Sequence, residues 1–92
     1  MIVNFRHRGL KRFYERADKS PIRPDLLPRV TVILAQLDRM EQIEDMALHS
    51  FHLHPMKGNY QGYWSVTVRA NWRIIFRFED GNVFDVELLD YH

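Results

Sequence analysis

An α+β fold, with a small, mostly antiparallel β-sheet covered on one face by an N-terminal helical hairpin, is what this sequence predicts. Three observations carry the prediction. Apolar residues recur at helical spacing up to Met40 and alternate with period two from Phe51 onward. The large apolar residues of the last three alternating runs, Trp64 to Leu88, fall on even numbers, so one sheet face is buried and needs a cover. With 92 residues, 46% of them hydrophobic, the chain holds one modest core and a single domain, 1–92.

Ile2 to Phe5 reads as a short strand. From Arg8 to about Asp18, Leu10, Phe13, Tyr14 and Ala17 stand at i, i+3, i+4 and i+7, one face of an amphipathic helix. Its other faces carry Arg8, Lys11, Arg12, Glu15 and Arg16. Pro21 and Pro24 exclude a continuation, so 19–24 is a connector. Asp25 is the expected N-cap of a second helix, and Pro28 falls in its first turn, where a missing N–H costs nothing. Val30, Ile33, Leu34, Leu37 and Met40 form its apolar stripe.

Four alternating runs follow. Phe51 and Leu53 alternate with His52 and His54. Trp64, Val66 and Val68 alternate with Tyr63, Ser65 and Thr67. Trp72, Ile74, Phe76 and Phe78 alternate with Arg73, Ile75 and Arg77. Phe84, Val86 and Leu88 alternate with Asp85, Glu87 and Leu89. Keeping the even positions on one face requires loops of odd length, since a slip of one residue inverts every side chain. Three- or five-residue loops are therefore expected at Arg69-Ala70-Asn71 and Asp80-Gly81-Asn82. Gly81 or Asn82 is expected at positive φ, and Arg77 opposite Asp85.

Composition narrows the function classes. With no cysteine, disulfides, a thiolate nucleophile and a Cys-based zinc site are excluded. The longest apolar stretches, such as Val32 to Ala35, are far too short to span a membrane, and Met1 to Asn4 lacks the apolar region of a signal peptide. A soluble cytoplasmic protein with no membrane partner is expected. There is no Gly-x-Ser-x-Gly, no phosphate-binding glycine loop and no paired-carboxylate hydrolase pattern. Net charge is only +1, yet it is sorted: residues 1–30 carry eight Lys/Arg against three Asp/Glu, and 48–78 carry four against none. Such sorting permits a basic face on a nearly neutral molecule.

The face turned away from the helices carries His52, His54, Tyr63, Ser65, Thr67, Arg73, Ile75, Arg77, Asp85, Glu87, Leu89 and Tyr91. His54 and Lys57 stand three apart at a strand exit, Arg73 is on a central strand, and Asp90-Tyr91-His92 is the last stretch of the strand paired with it. That last stretch is expected to be held rather than frayed, so two imidazoles, a phenol, an ammonium and a guanidinium could converge. These are the parts that RNA cleavage needs without a metal. His or Tyr can act as base and acid, Lys57 and Arg73 as a charge clamp, and the surrounding groove as the aligner.

The elements Leu53-His54-Pro55-Met56-Lys57-Gly58, Gly62-Tyr63-Trp64-Ser65-Val66, Asn71-Trp72-Arg73-Ile74-Ile75-Phe76-Arg77-Phe78 and Asp90-Tyr91-His92, in this order, resemble the HigB-type toxins of the RelE/ParE superfamily. The resemblance extends over essentially the whole chain, including Phe5 and Leu10 to Tyr14. It implies an mRNA endonuclease acting in the decoding site of the translating ribosome, with no metal and no cofactor. It also implies a helix-turn-helix antitoxin of the HigA type, through which alone the toxin would reach operator DNA. By match, the active-site residues are His54, Lys57, Arg73, Asp90, Tyr91 and His92. Tyr91, His54 or His92 would transfer protons, Lys57 and Arg73 would stabilise the transition state, and Asp90 would orient its neighbours. Arg8, Lys11, Arg12 and Arg16 would meet ribosomal RNA phosphates.

Plainer readings stand beside these. His49, His52 and His54 lack a nearby carboxylate to complete a zinc site. Trp64 and Trp72 share parity with the core. Tyr60 either stacks on a base or closes its loop. The basic helix face is by default solvated. Two other functions remain: a ParE-like gyrase poison without catalysis, although those relatives lack the His/Lys/Tyr set, or an inactive toxin fold kept as a binding or co-repressor protein.

Overall fold

The computed structural model describes residues 1–91; His92 and the side chain of His49 lie outside the description. Helix α1 spans Arg8–Arg16. It begins where His7 Nδ1 accepts the Leu10 N–H at 3.0 Å and ends at Ala17, whose left-handed φ of 55° lets its N–H close on the Phe13 carbonyl. Gly9 serves this cap, because a Cβ there would stand 3.0 Å from the His7 ring and from Pro21. Helix α2 spans Leu27–Arg39. Asp25 does not cap it. Leu26 takes that position without a side-chain bond, and the Asp25 carboxylate is gripped by the Arg23 fork at 2.9 and 3.1 Å. The α2 stripe Val30, Ile33, Leu34 and Leu37 is buried with Met40, whereas α1 fully buries only Gly9 and Leu10. Neither helix is long and apolar enough to cross a membrane.

The sheet runs β1 (His54–Pro55), β2 (Trp64–Arg69), β3 (Trp72–Glu79) and β4 (Asn82–Asp90), in that order and antiparallel throughout. The first alternating run is mostly not a strand. His49–Phe51 forms a 3₁₀ turn, and His52, at φ 50°, interrupts the extension, leaving two residues to pair. Phe51 is buried, with the Arg29 guanidinium 5.1 Å from its ring centre and bonded to the Ser50 carbonyl. The N-terminal segment pairs in parallel with β4, through Ile2 with Val83 and Phe5 with Val86.

Even residues do pair with even residues across β2–β3 (Trp64 with Phe76, Val66 with Ile74) and across the first part of β3–β4 (Ile74 with Leu88). The odd residue, however, is not in the loops. Both turns are shorter than expected, Ala70-Asn71 between paired Arg69 and Trp72, and Asp80-Gly81 between paired Glu79 and Asn82. Asp80 and Gly81 have φ 50° and 80°, the type I′ arrangement that matches strand twist. The extra residues become bulges, one between Thr67 and Arg69 and one at Asp85, φ 55°. On the Asn82 side of Asp85 the parity of β4 is inverted. Val83 therefore enters the core in place of Phe84, and Arg77 faces Phe84 while still reaching the Asp85 carboxylate at 3.4 Å.

The bulge is clasped from outside. The Asp85 N–H donates to Asn4 Oδ1 at 2.7 Å, and Asn4 Nδ2 donates to Asp85 Oδ1 at 3.0 Å. Asn4→Ala is expected to lower the unfolding free energy by about 1 kcal/mol, read as a lower urea midpoint. An unchanged midpoint would mean that the bulge stands without its clasp.

A pH dependence follows from α1. Burial holds the His7 imidazole below its ordinary value, against a smaller opposing pull from Glu87. Only the neutral ring accepts the Leu10 amide proton, so on acidification the unfolded chain binds a proton before the folded one does. Stability should be full above about pH 6.5, the unfolded His value, and fall as pH drops from there through the lowered folded value. His7→Asn keeps a cap that does not titrate and should flatten that decline, as denaturant midpoints at about pH 7.5 and 5.5 would show.

Candidate active site

On the sheet face away from the helices, directly opposed residues form rows. One row is His54, Ser65, Ile75 and Glu87, and the next is Thr67, Arg73 and Leu89. Beyond these the Tyr91 N–H donates to the Asn71 carbonyl at 2.8 Å, so the segment after β4 is held, as expected.

The rows sort the candidate residues. Arg73, Asp90 and Tyr91 all lie at the β2–β3 turn end, but Asp90 pairs with Trp72 in the register of the helix-side face, whereas Arg73 pairs with Leu89 on the open one. His54 is one row and two strand spacings from Arg73, about 10 Å across and 7 Å along the strands. Lys57 is not in this group. It follows Met56, whose N–H donates to the Tyr63 carbonyl at 2.8 Å, and so stands beyond the opposite end of the sheet from Asn71 and Tyr91. The single pocket expected to hold Lys57 beside Tyr91 is thus drawn out along a diagonal of the face. His92 lies outside the described residues. Among the described residues no three His, Asp or Glu are grouped to hold a metal ion.

Local contacts set the chemistry of each group. His54 Nδ1 is 2.9 Å from the His52 carbonyl. A carbonyl only accepts, so Nδ1 is the donor in this bond, and Nε2 is the nitrogen left over on an exposed ring. Arg73 is half-buried, and its Nη1 donates to the carbonyls of Ala70 at 2.6 Å and Trp72 at 3.2 Å. Tyr91 is 44% exposed. Arg8, Lys11, Arg12 and Arg16 are exposed on the helical layer, where Arg12 pairs with Asp18 at 2.7 Å. They form a second surface, apart from the sheet face.

Sequence reasoning missed the middle of the face. Ser65 and Ile75 point away from the helices yet are fully buried, and the Ser65 hydroxyl has no hydrogen-bond partner among the described residues. At the Glu87 end of this row stands Arg6, from the segment beyond β4. Its Nη1 donates to the Tyr63 hydroxyl at 3.1 Å and its Nε lies 3.8 Å from the Glu87 carboxylate. The Tyr63 bond and Glu87 together raise the Arg6 pKa above its ordinary value. Only the pairing of Ile2 to Phe5 with β4 could have revealed this, and a parallel partner leaves no local mark in sequence. A cavity of about 250 Å³ between α1 and α2, lined by Phe13, Tyr14, Ala17, Leu34 and Ala35, is apolar. Its carboxylate, Asp38, is engaged by the Tyr14 hydroxyl at 2.7 Å and the Ile2 N–H at 3.1 Å.

Comparison with known proteins identifies the family and the fold. The family model for the RelE-like toxin of the type II toxin–antitoxin system HigB matches residues 3–92. A protein of Proteus vulgaris named Endoribonuclease HigB is 39% identical over 92 residues, the full length of both chains. Among solved structures, the YoeB–YefM toxin–antitoxin complex of Staphylococcus aureus aligns with TM-score 0.64 at 15% identity, covering 100% of this chain and 95% of the other. A point mutant of YafQ from E. coli aligns with TM-score 0.56 at 13% identity, covering 95% and 86%. At such identities these structures speak for the fold.

Proposed function

The chain belongs to the HigB family of RelE-like toxins of type II toxin–antitoxin systems, and from that membership we infer that it is an endoribonuclease cutting mRNA on the translating ribosome. The observation that carries this reading is full-length identity of 39% to a protein named as an endoribonuclease. The open sheet face, with an imidazole, a guanidinium and a phenol on one diagonal, supports it.

In the proposed reaction a base takes the proton of the 2′-hydroxyl, and that oxygen attacks the adjacent phosphorus. The bond from phosphorus to the 5′-oxygen breaks, and an acid protonates the leaving oxygen. The products are a 2′,3′-cyclic phosphate and a 5′-hydroxyl end. His54, Tyr91 and His92 are the proposed proton-transfer set. His54 suits the base because its Nδ1–H is already committed to the His52 carbonyl and Nε2 can accept. Arg73 sets positive charge against the phosphoryl oxygens, and Asp90 orients its neighbours. Lys57, at the far end of the face, engages a neighbouring phosphate. Arg8, Lys11, Arg12 and Arg16 meet ribosomal RNA from the helical layer. The partners are a ribosome with mRNA in its decoding site and a helix-turn-helix antitoxin of the HigA type, which alone links the toxin to operator DNA. The site of action is the cytoplasm.

Induced expression tests the reading. Translation should fall promptly, with new mRNA 5′ ends inside reading frames. His54→Ala and Tyr91→Ala should each lose about 100-fold or more of the cleavage rate, while still binding antitoxin. Lys57→Ala, by its position, should lose only about tenfold. DNA breaks with intact mRNA, as a gyrase poison would give, or harmless wild-type expression would overturn the reading.

A further inference from the structure

We propose that Arg6, held between Tyr63 and Glu87, is a stacking plate for an unpaired nucleobase and helps to select where RNA is cut; the inference rests on the endoribonuclease reading above. The Arg6 backbone is fixed, its N–H donating to the Val86 carbonyl at 2.8 Å. Its side chain is fixed at both edges, Nη1 on the Tyr63 hydroxyl at 3.1 Å and Nε 3.8 Å from Glu87. The guanidinium spans from Glu87, which faces Ile75 across the strands, to Tyr63, the residue that precedes β2, and Ile75 is fully buried. Tyr63 is itself steadied by Tyr60, whose ring meets it edge-on at 6.0 Å and 84°.

A phosphate clamp needs uncancelled charge and outward-pointing N–H groups. Arg6 has neither in full, since Glu87 counters its charge and two of its edges face protein. What the arrangement does supply is a planar group of set orientation whose side chain is 53% exposed. Unpaired bases stack on guanidinium planes and on aromatic rings, and an arginine fixed beforehand loses little freedom in doing so. The Glu87 carboxylate beside the plate only accepts hydrogen bonds, so it favours a base that turns a donor edge toward it, an exocyclic amine or a ring N–H. The ligand class is therefore an unpaired base of single-stranded RNA with a donor edge, held beside Glu87, whose row adjoins that of Arg73.

The test compares wild type, Arg6→Ala, Arg6→Lys and Tyr63→Phe on ribosomes carrying mRNA. Affinity is measured with a 2′-O-methylated, uncuttable message, and cut positions are mapped on the natural one. Lysine keeps the charge and loses the plane. If Arg6 stacks, Arg6→Lys and Arg6→Ala both weaken binding about tenfold and broaden the cut positions, and Arg6→Lys leaves the salt dependence of binding as in wild type. Tyr63→Phe, which frees one edge, loses about threefold. Circular dichroism melts identify any variant that fails to fold, in which case Tyr63→Phe, retaining its ring, decides. Arg6→Lys equal to wild type would reduce Arg6 to a charge, and unchanged affinity and cut sites in Arg6→Ala would remove it from the site; either overturns the plate alone. A wild type that cuts no mRNA overturns the ribonuclease reading and the plate with it.

Discussion

The bulge at Asp85 is the constraint on which the rest of the sheet depends. Val83 and Val86 are three apart, so in an unbroken strand they would face opposite sides. Both are fully buried. One extra residue between them resolves the conflict, and Asp85 accepts the left-handed conformation that the extra residue needs. Asp and Asn tolerate that conformation better than other residues with a side chain, at a cost of about 1–2 kcal/mol. The two bonds with Asn4 offset the cost. The same spacing is repeated in the partner segment, where Ile2 and Phe5, also three apart, pair with Val83 and Val86. The bulge therefore decides which β4 residues are core, where the N-terminal segment docks, and how Arg6 comes to reach the open face.

This explains which parts of the fold are legible in the sequence. The α2 stripe and the even-numbered face of β2 and β3 are periodic over many residues, and periodicity is a local property of sequence. Pattern locates the turns but not their lengths, because parity fixes only that one odd residue exists somewhere. Whether it sits in the loop or in the strand depends on what the strand must also contact. Phe84 reads as core on pattern alone; the need of the N-terminal segment for Val83 displaces it. Asp25 reads as a cap because its competitor, Arg23, lies two residues before it and reaches it through a fork that no cap preference describes.

The candidate site is legible to a similar degree. Antiparallel register places Arg73 beside the segment that holds Asp90 and Tyr91, and the Tyr91 bond to Asn71 agrees with that. Lys57 is misplaced by pattern because the alternation over 51–54 predicts an extended run. His52, in the left-handed region, turns that run into a 3₁₀ corner with a two-residue strand after it. Since β1 runs antiparallel to β2, each residue after His54 also moves away from the turn that holds Asn71. Arg6 leaves no signal at all, since its importance lies in a contact with Tyr63, fifty-seven positions away in sequence.

The arginines of the open face are held in two physically different ways. Arg77 lies near the carboxylates of Asp85 at 3.4 Å and Glu79 at 3.6 Å, and Arg6 near that of Glu87. Such exposed pairs contribute little to stability, a median of about 0–1 kcal/mol, but they cancel charge and fix planes. Arg73 is held by backbone carbonyls, dipoles that orient a guanidinium without cancelling its charge. A phosphoryl group gaining negative charge is stabilised by a cation already oriented and still charged, because no reorganisation is then left for the moment of reaction. A base edge gains nothing from such a cation and is better served by a neutralised plane. The sheet offers both kinds in neighbouring rows, which is the arrangement a site needs if it is to bind a base and act on the phosphodiester beside it.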